Sequence, residues 1–446
     1  MIRIRRATRV REIDQAFKLE PLKIEELSFY RATAEARDGK ESRKRIEKLL
    51  RKNPDTTEHI LYVAARGCGK STELNHLQKD IEDDYLVFNY SVLAELDGDN
   101  LSYIELFIVT MERLFDFVNT HPEIAVSKAY IQSITRWIRS KEVEEVRDKY
   151  LGTELEAGTE TEIGIPFLHK FFAQFKASAK ASVSMKATLK ETIEPKLSDL
   201  IRNCNALIQE IMKSLPEIGK KDILIIIEDL DKISYTAAEE LFFNHASHLA
   251  QIQANVIYTF PSALRFNLRY NDIRNYFKRD YVLTMIKVHE KDGSDYQPGI
   301  DIMREIVEAR MDTTLFASPD LLTDLIRRSG GVLRDLFRLI MDAAEMADLD
   351  DRDTINADDC LRAINQLRTA YRSMISDLNI GGKHYPVEKY YEILINLVKN
   401  EEKLVDNSDE VMHLRQSLCI LDYNGTGWQD VHPVVREILR ERNMLS

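Results

Sequence analysis

Few cysteines, no long apolar run and no surplus of positive charge: each absence in this sequence closes off a class of protein. Only four cysteines occur in 446 residues, Cys68, Cys204, Cys360 and Cys419. Their scatter offers neither the spacing of a metal site nor a disulfide framework. The longest aliphatic run, Ile223 to Ile227, is the size of a strand, far short of the roughly 20 residues that cross a bilayer. The start, MIRIRRATRVREID, is basic but lacks the apolar block of a signal peptide. A cytoplasmic protein with no membrane segment is expected. The net charge of −12 makes the molecule as a whole no electrostatic trap for nucleic acid. Internal repeats and low-complexity tracts are also missing.

What is present is an ordinary globular composition, 44% hydrophobic and 30% charged. The chain is too long for one core, so two or three domains are expected. Residues 1–58 read as a charged, helical N-terminal segment, with Pro54-Asp55 as a breaker. Residues 59–299 read as an α/β core. HILYVAA, YLVFNYSVL (Tyr85 to Leu93), KKDILIIIE and ANVIYTF are its apolar strands. Strands alternating with helices predict a parallel sheet with helices on both faces. Between about 105 and 215 the 3.6-residue apolar period predicts a helical insertion, whose length is expected to make it project from the core, and GTELEAGTETEIGIPFL within it a loop or hairpin. Residues 300–378 read as a helical lid and 379–446 as a winged-helix-like module.

The phosphate-binding loop pattern is Gly, four residues, then Gly-Lys-Ser/Thr. AARGCGKST keeps Gly69-Lys70-Ser71 but opens on Ala64 where the pattern has glycine. Alanine adds one methyl group and is tolerated at negative φ. Gly67 and Gly69 still allow the tight turn. A strand precedes the loop and a helix follows it, which is the context the motif requires. The backbone from Arg66 through Gly67, Cys68, Gly69, Lys70, Ser71 and Thr72 would then cradle phosphate at a helix N-terminus. Lys70 would reach the β- and γ-phosphates, and the Ser71 hydroxyl would bind Mg²⁺.

The second requirement is a carboxylate at the end of another buried strand. ILIIIEDLDK meets it with Glu228, Asp229 and Asp231. Glu228 takes the metal-ligand position and Asp229 that of the water-activating acid and second metal ligand. Asp231 reads as a cap of the following helix. The Glu-Asp order is the reverse of the familiar Asp-Glu pair.

In order, AARGCGKST, the IEDLD strand end, IYTFP and GGVLRDL resemble P-loop ATPases of the AAA+/STAND superclass. They are similar to bacterial STAND-like and KAP-type NTPases and to origin-recognition-like initiators. The resemblance runs through residues 40–345. It implies an ATPase that binds MgATP between core and lid and resets a conformational or oligomeric state. Thr259 would take the sensor-1 place beside the γ-phosphate, and Arg334, after Gly330-Gly331, the sensor-2 place. Arg265, Arg269, Arg274 and Arg279 are candidates for an arginine acting in trans. A protein partner or self-association, in regulation or bacterial defence, is implied as well. No Asn-Lys-x-Asp guanine motif appears, which favours ATP over GTP.

DNA is the alternative partner, and charge speaks against it. Residues 384–446 carry seven basic and eleven acidic side chains, the wrong balance for phosphate contacts. The stretch most like a recognition helix, DEVMHLRQSLCILDY, opens on two acids. A protein-contact or autoinhibitory role is expected for this module.

Overall fold

A computed structural model describes residues 4–445 apart from 38, 40, 53–55, 151–162, 182–187, 189–190, 192, 381, 404, 406 and 424–427. The breaker Pro54-Asp55 and most of the expected loop after Leu151 lie outside the described residues.

Five strands form one parallel sheet: β1 (His59–Ala64), β2 (Tyr85–Ser91), β3 (Asp222–Glu228), β4 (Asn255–Pro261) and β5 (Arg279–Leu283). Their order is β2-β3-β4-β1-β5, with Tyr62 opposite Thr259 and Ile225 opposite Val256. The two-residue alternation of side chains splits each central strand between two cores. Leu61, Val63, Ile223, Ile225, Ile227, Val256 and Tyr258 face one, while Ile60, Tyr62, Ala64, Leu224, Ile226 and Ile257 face the other. Burial on both faces is why these strands read as continuous apolar runs. The short edge strand β5, opening on Arg279 and Asp280, gave no such run. Arg279, a candidate trans-acting arginine, is its first residue.

The second face is covered by α1 (Ser42–Lys52) and α2 (Lys70–Ile81). The first is covered by the insertion: α3 (Tyr103–Thr120), α4 (Lys128–Ile138), α5 (Lys141–Tyr150), α6 (Ile165–Ala181) and α7 (Leu197–Ser214). A projecting insertion was expected from its length, and the structure corrects this. Helix α3 starts in a capping box, the Ser102 N–H donating to Glu105 Oε2 at 2.8 Å. It is buried on nearly all sides, because it packs on α6 and shares one core with β1, β3 and β4.

Beyond β5 come α8 (Gln297–Glu308), α9 (Pro319–Arg328), α10 (Leu333–Leu349) and α11 (Ala357–Met374). They are followed by α12 (Val387–Lys399), α13 (Asp409–Gln416), a hairpin of Ile420–Tyr423 with Trp428–Val431, and α14 (Pro433–Glu441). Residues of all these segments share a third core. The expected long helix over DEVMHLRQSLCILDY ends at Gln416. Leu418 takes φ +62, and Cys419 to Tyr423 enter the hairpin instead. The Tyr423 hydroxyl latches that hairpin to the lid, donating to the Gly330 carbonyl at 2.6 Å. Gly330 admits no side chain there, since a Cβ would meet Pro433 Cδ at 2.7 Å.

The N-terminal segment is also corrected. Residues 4–37 form only short 3-10 turns and one four-residue helix. They run as a strap over the lid and α2, with Val10, Ile13, Ala16 and Phe17 buried in the lid core.

Candidate functional site

The loop from Ala64 to Lys70 leaves β1 and enters α2 through Gly69, which caps the helix at φ +96. Gly67 turns the loop at φ +77, and a Cβ there would stand 3.0 Å from Arg334 Cβ. The first amide groups of α2, unpaired within the helix, crown this turn with positive partial charge. Cys68 is buried, its thiol donating to the Ala65 carbonyl at 3.0 Å.

A cavity of about 350 Å³ opens in front of the loop. The loop from Ala65 to Glu73 and Asp231-Lys232 form one wall, the strap residues Lys18 to Leu22 and Phe29 to Arg37 a second, and Ile306, Arg310 and Leu333 to Phe337 of the lid a third. Arg334 therefore reaches the site from the lid. Its backbone N–H donates to the Gly67 carbonyl at 3.4 Å. A pairing of Arg334 with Asp335 is not what the structure shows. Asp335 instead accepts from the Tyr371 hydroxyl at 2.7 Å and faces His432 and Arg338. Among the described residues Arg334 has no carboxylate partner.

The three acids after β3 take separate places. Glu228 ends the strand, 8% exposed. Burial raises its pKa above the ordinary carboxylate value, while the Ser71 hydroxyl and Lys70 pull the other way. Ser71 and Glu228 thus lie side by side. Asp229 sits at φ +68 with one oxygen accepting from the Ser91 hydroxyl and the other paired with Lys232 at 2.5 Å. Burial works to raise its pKa, but Lys232 and Ser91 outweigh it and hold the group below the usual range. A carboxylate so engaged is a poor proton acceptor.

Asp231 was expected to cap a helix, but Ser234 does that, its hydroxyl accepting from the Ala237 N–H. Asp231 instead forms an ion pair with Lys70 on the cavity wall, both side chains buried. The contact is a charge pair without hydrogen-bond alignment, for Lys70 Nζ and both Asp231 oxygens lack a hydrogen-bond partner. Such buried polar atoms are costly to leave unmade.

One further expectation needs correcting. Thr259 is fully buried, with its hydroxyl donating to the Ile227 carbonyl at 3.1 Å and accepting from the Leu230 N–H at 3.0 Å. It clamps the end of β3 and does not line the cavity, so the sensor-1 place is not supported. Thr72 turns its hydroxyl to the strap, accepting from the Leu22 N–H at 3.1 Å.

The strap contributes residues that motif reasoning passed over. The Asn75 amide donates to the Leu22 carbonyl at 2.8 Å, and the Tyr30 hydroxyl donates to Glu73 at 2.8 Å. Arg37, buried, donates to the Cys68 carbonyl at 2.6 Å, while its Nη1 has no partner. Arg310 donates to the Phe29 carbonyl at 3.3 Å and lies 4.9 Å over the Phe337 ring. Its burial, helped by Arg31, pushes its pKa down to about 10. Arg66 donates to the Lys232 carbonyl at 3.1 Å, and its Nε is also buried without a partner. Five guanidinium groups, those of Arg31, Arg37, Arg66, Arg310 and Arg334, thus line the cavity with three carboxylates, of which Glu73 and Asp231 are already paired and Glu20 sits on the exposed strap. Arg66 and Arg334 were legible from their motifs, whereas Arg31 and Arg37 had only repeated arginine in 31–37, which carries no spacing rule, and Arg310 had no signal at all.

A parallel sheet whose first strand runs through a Gly-x-Gly-Lys-Ser turn into a helix, with acids ending β3 one strand beyond its neighbour β4, settles the fold. It is a P-loop NTPase fold. No family model matches the chain, and no curated protein does. Among solved structures it is similar to a Walker-type ATPase of Pyrococcus abyssi, at 12% identity and a TM-score of 0.41, over 95% of this chain and 99% of that one. It is similar also to the ORC2 protein of Aeropyrum pernix in its ADP form, at 11% and 0.39, over 97% and 99%. A third is the RuvB Holliday junction branch migration motor of Thermotoga maritima, at 11% and 0.35, over 96% and 99%. At these values the likeness is one of layout, and the chemistry of the site is argued from this chain's own residues.

Proposed function

We propose that the chain is an ATP-binding, Mg²⁺-dependent molecular switch that hydrolyses ATP and whose nucleotide state controls assembly or a partner protein. The observation that carries this reading is the buried Lys70–Asp231 pair, facing a cavity ringed by arginines with few free carboxylates. A nucleotide, with its phosphate chain on the loop side, satisfies these groups together. Lys70 exchanges Asp231 for phosphate, the amide groups of Gly67 to Thr72 receive phosphate oxygens, and Arg334 approaches from the lid. The side-by-side Ser71 and Glu228 suit a hydrated Mg²⁺, and Asp231, released from Lys70, adds a carboxylate close by. The cation supplies charge neutralisation on the phosphates. Asp229, tied to Lys232 and Ser91, supports binding better than fast turnover. The base and sugar would lie against the strap and Arg310.

A saturable 1:1 titration with MgATP, together with phosphate release, tests the proposal. A folded protein that binds neither MgATP nor MgADP at millimolar concentration would sink it. Duplex DNA that raises the ATPase rate would favour the initiator-type alternative, against which the acidic balance of residues 384–446 argues.

A further inference from the structure

A second cavity, of about 490 Å³, lies on the far side of Arg334 between the lid and the C-terminal segment. Its lining joins three cations, Arg66, Arg334 and Arg338, and one acid, Asp335, to apolar walls that include Met374, Ile380 and Leu418. Arg338 is exposed, with Asp335 4.0 Å away and Asp342 one turn further along the helix as its carboxylate neighbours. Met374 and Ile380 are large apolar side chains left open to solvent. The groove therefore asks for an occupant that joins an apolar side chain to several negative charges.

The chain carries such a feature. At the other end of α10, Leu349 is 72% exposed, one of the most exposed large apolar residues of the molecule. Glu345, Asp348, Asp350, Asp351 and Asp353 surround it in sequence and are all exposed. The one arginine among them, Arg352, is committed to Asp350 and Asp359. Arg334 and Arg338 of the groove and Leu349 of the knob lie on one 17-residue helix, about 22 and 16 Å apart along its axis at 1.5 Å per residue. The same chain cannot close them on each other.

We propose that the groove is the docking site for the Leu349 knob of a second copy of this chain. The contact is heterologous, knob to groove, and leaves a free knob and a free groove at the two ends of every assembly. Leu349 supplies apolar area to the Met374 and Ile380 side. The acids around it meet Arg334 and Arg338, which gives the contact its direction and a dependence on ionic strength. Arg66 and Arg334 line both cavities, so nucleotide phosphate and knob draw on the same guanidinium groups. That linkage, unlike the docking itself, rests on the nucleotide reading above.

The test uses two full-length variants, Leu349→Asp without a working knob and Arg338→Glu without a working groove, studied by sedimentation velocity. Wild-type protein should grow with concentration beyond a dimer, and less so as salt rises. Each variant alone should associate at least ~10-fold more weakly. An equimolar mixture should form a complex of two chains and stop there, because only one intact knob and one intact groove remain. A wild type that stays monomeric, variants that associate as the wild type does, or a mixture that stays monomeric would each overturn the proposal. Met374→Glu replaces Arg338→Glu as the groove variant if the latter fails to fold. MgATP titration of the same variants keeps the two readings apart. Neither side chain touches the phosphate cavity, so lost binding there counts against the nucleotide reading and leaves the docking result to stand by itself.

Discussion

The two sides of the nucleotide cavity are built by opposite means. The phosphate side is local: Ala64 to Thr72 forms the whole cradle in nine consecutive residues. The strap-and-lid side is assembled from segments nearly 300 residues apart, joined by contacts such as Arg310 to the Phe29 carbonyl and Arg6 to the Glu308 carbonyl. The difference separates what a site must bind from how it is closed. A loop whose geometry is fixed by two glycines and a helix start can hold phosphate by itself, whereas the strap and lid, sharing one buried core, wall the cavity only once the chain has folded around it.

The largest expected effect falls on the phosphate side. Asp231→Ala leaves Lys70 buried without its counter-charge, and breaking one partner of a buried pair costs about 3–5 kcal/mol. Urea unfolding should show that loss without ligand and recover part of it with MgATP, which gives Lys70 a new partner. Equal losses with and without MgATP would show that Lys70 never changes partner. On the other side, Arg310→Met should weaken MgATP binding about tenfold, roughly 1.4 kcal/mol, while inorganic triphosphate, lacking base and sugar, should bind as before. If triphosphate loses as much, the two sides do not divide the ligand as described. The smallest effect is one of pH. Glu228 has its pKa raised by burial, so protons compete with Mg²⁺ at a pH above the ordinary carboxylate range. The Mg²⁺-dependent part of nucleotide binding should therefore be full at neutral pH and fade as pH falls through that raised pKa. Glu228→Gln should lower the Mg²⁺-dependent part and flatten the profile, as equilibrium titrations from pH 5 to 8 would show.

How much of this was readable beforehand follows the same division. The sheet strands β1, β3 and β4 announced themselves as apolar runs because both their faces are buried, and the loop because its chemistry is contiguous. The strap was not readable, since its contacts use backbone groups of Leu22 and Phe29 that any sequence would offer. The acids after β3 were found as a group but not as individuals. Asp231 meets Lys70 only once β3 and the loop are side by side, and Ser234 was a ready rival as helix cap. Thr259 is polar at a strand end, as a phosphate sensor would be. Only the three-dimensional packing shows its hydroxyl spent on Ile227 and Leu230. The insertion misled through length alone: helices long enough to project were apolar enough on α3 to be drawn onto the sheet.

The central claim is that Lys70 exchanges Asp231 for the phosphates of MgATP. Isothermal titration of Lys70→Ala beside the wild type, with circular dichroism to verify that both are folded, tests it most directly. The account predicts one MgATP per wild-type chain and at least ~100-fold weaker binding by the variant, the loss of a charge-assisted phosphate contact in a buried site. A folded Lys70→Ala protein that binds MgATP as tightly as the wild type would contradict it.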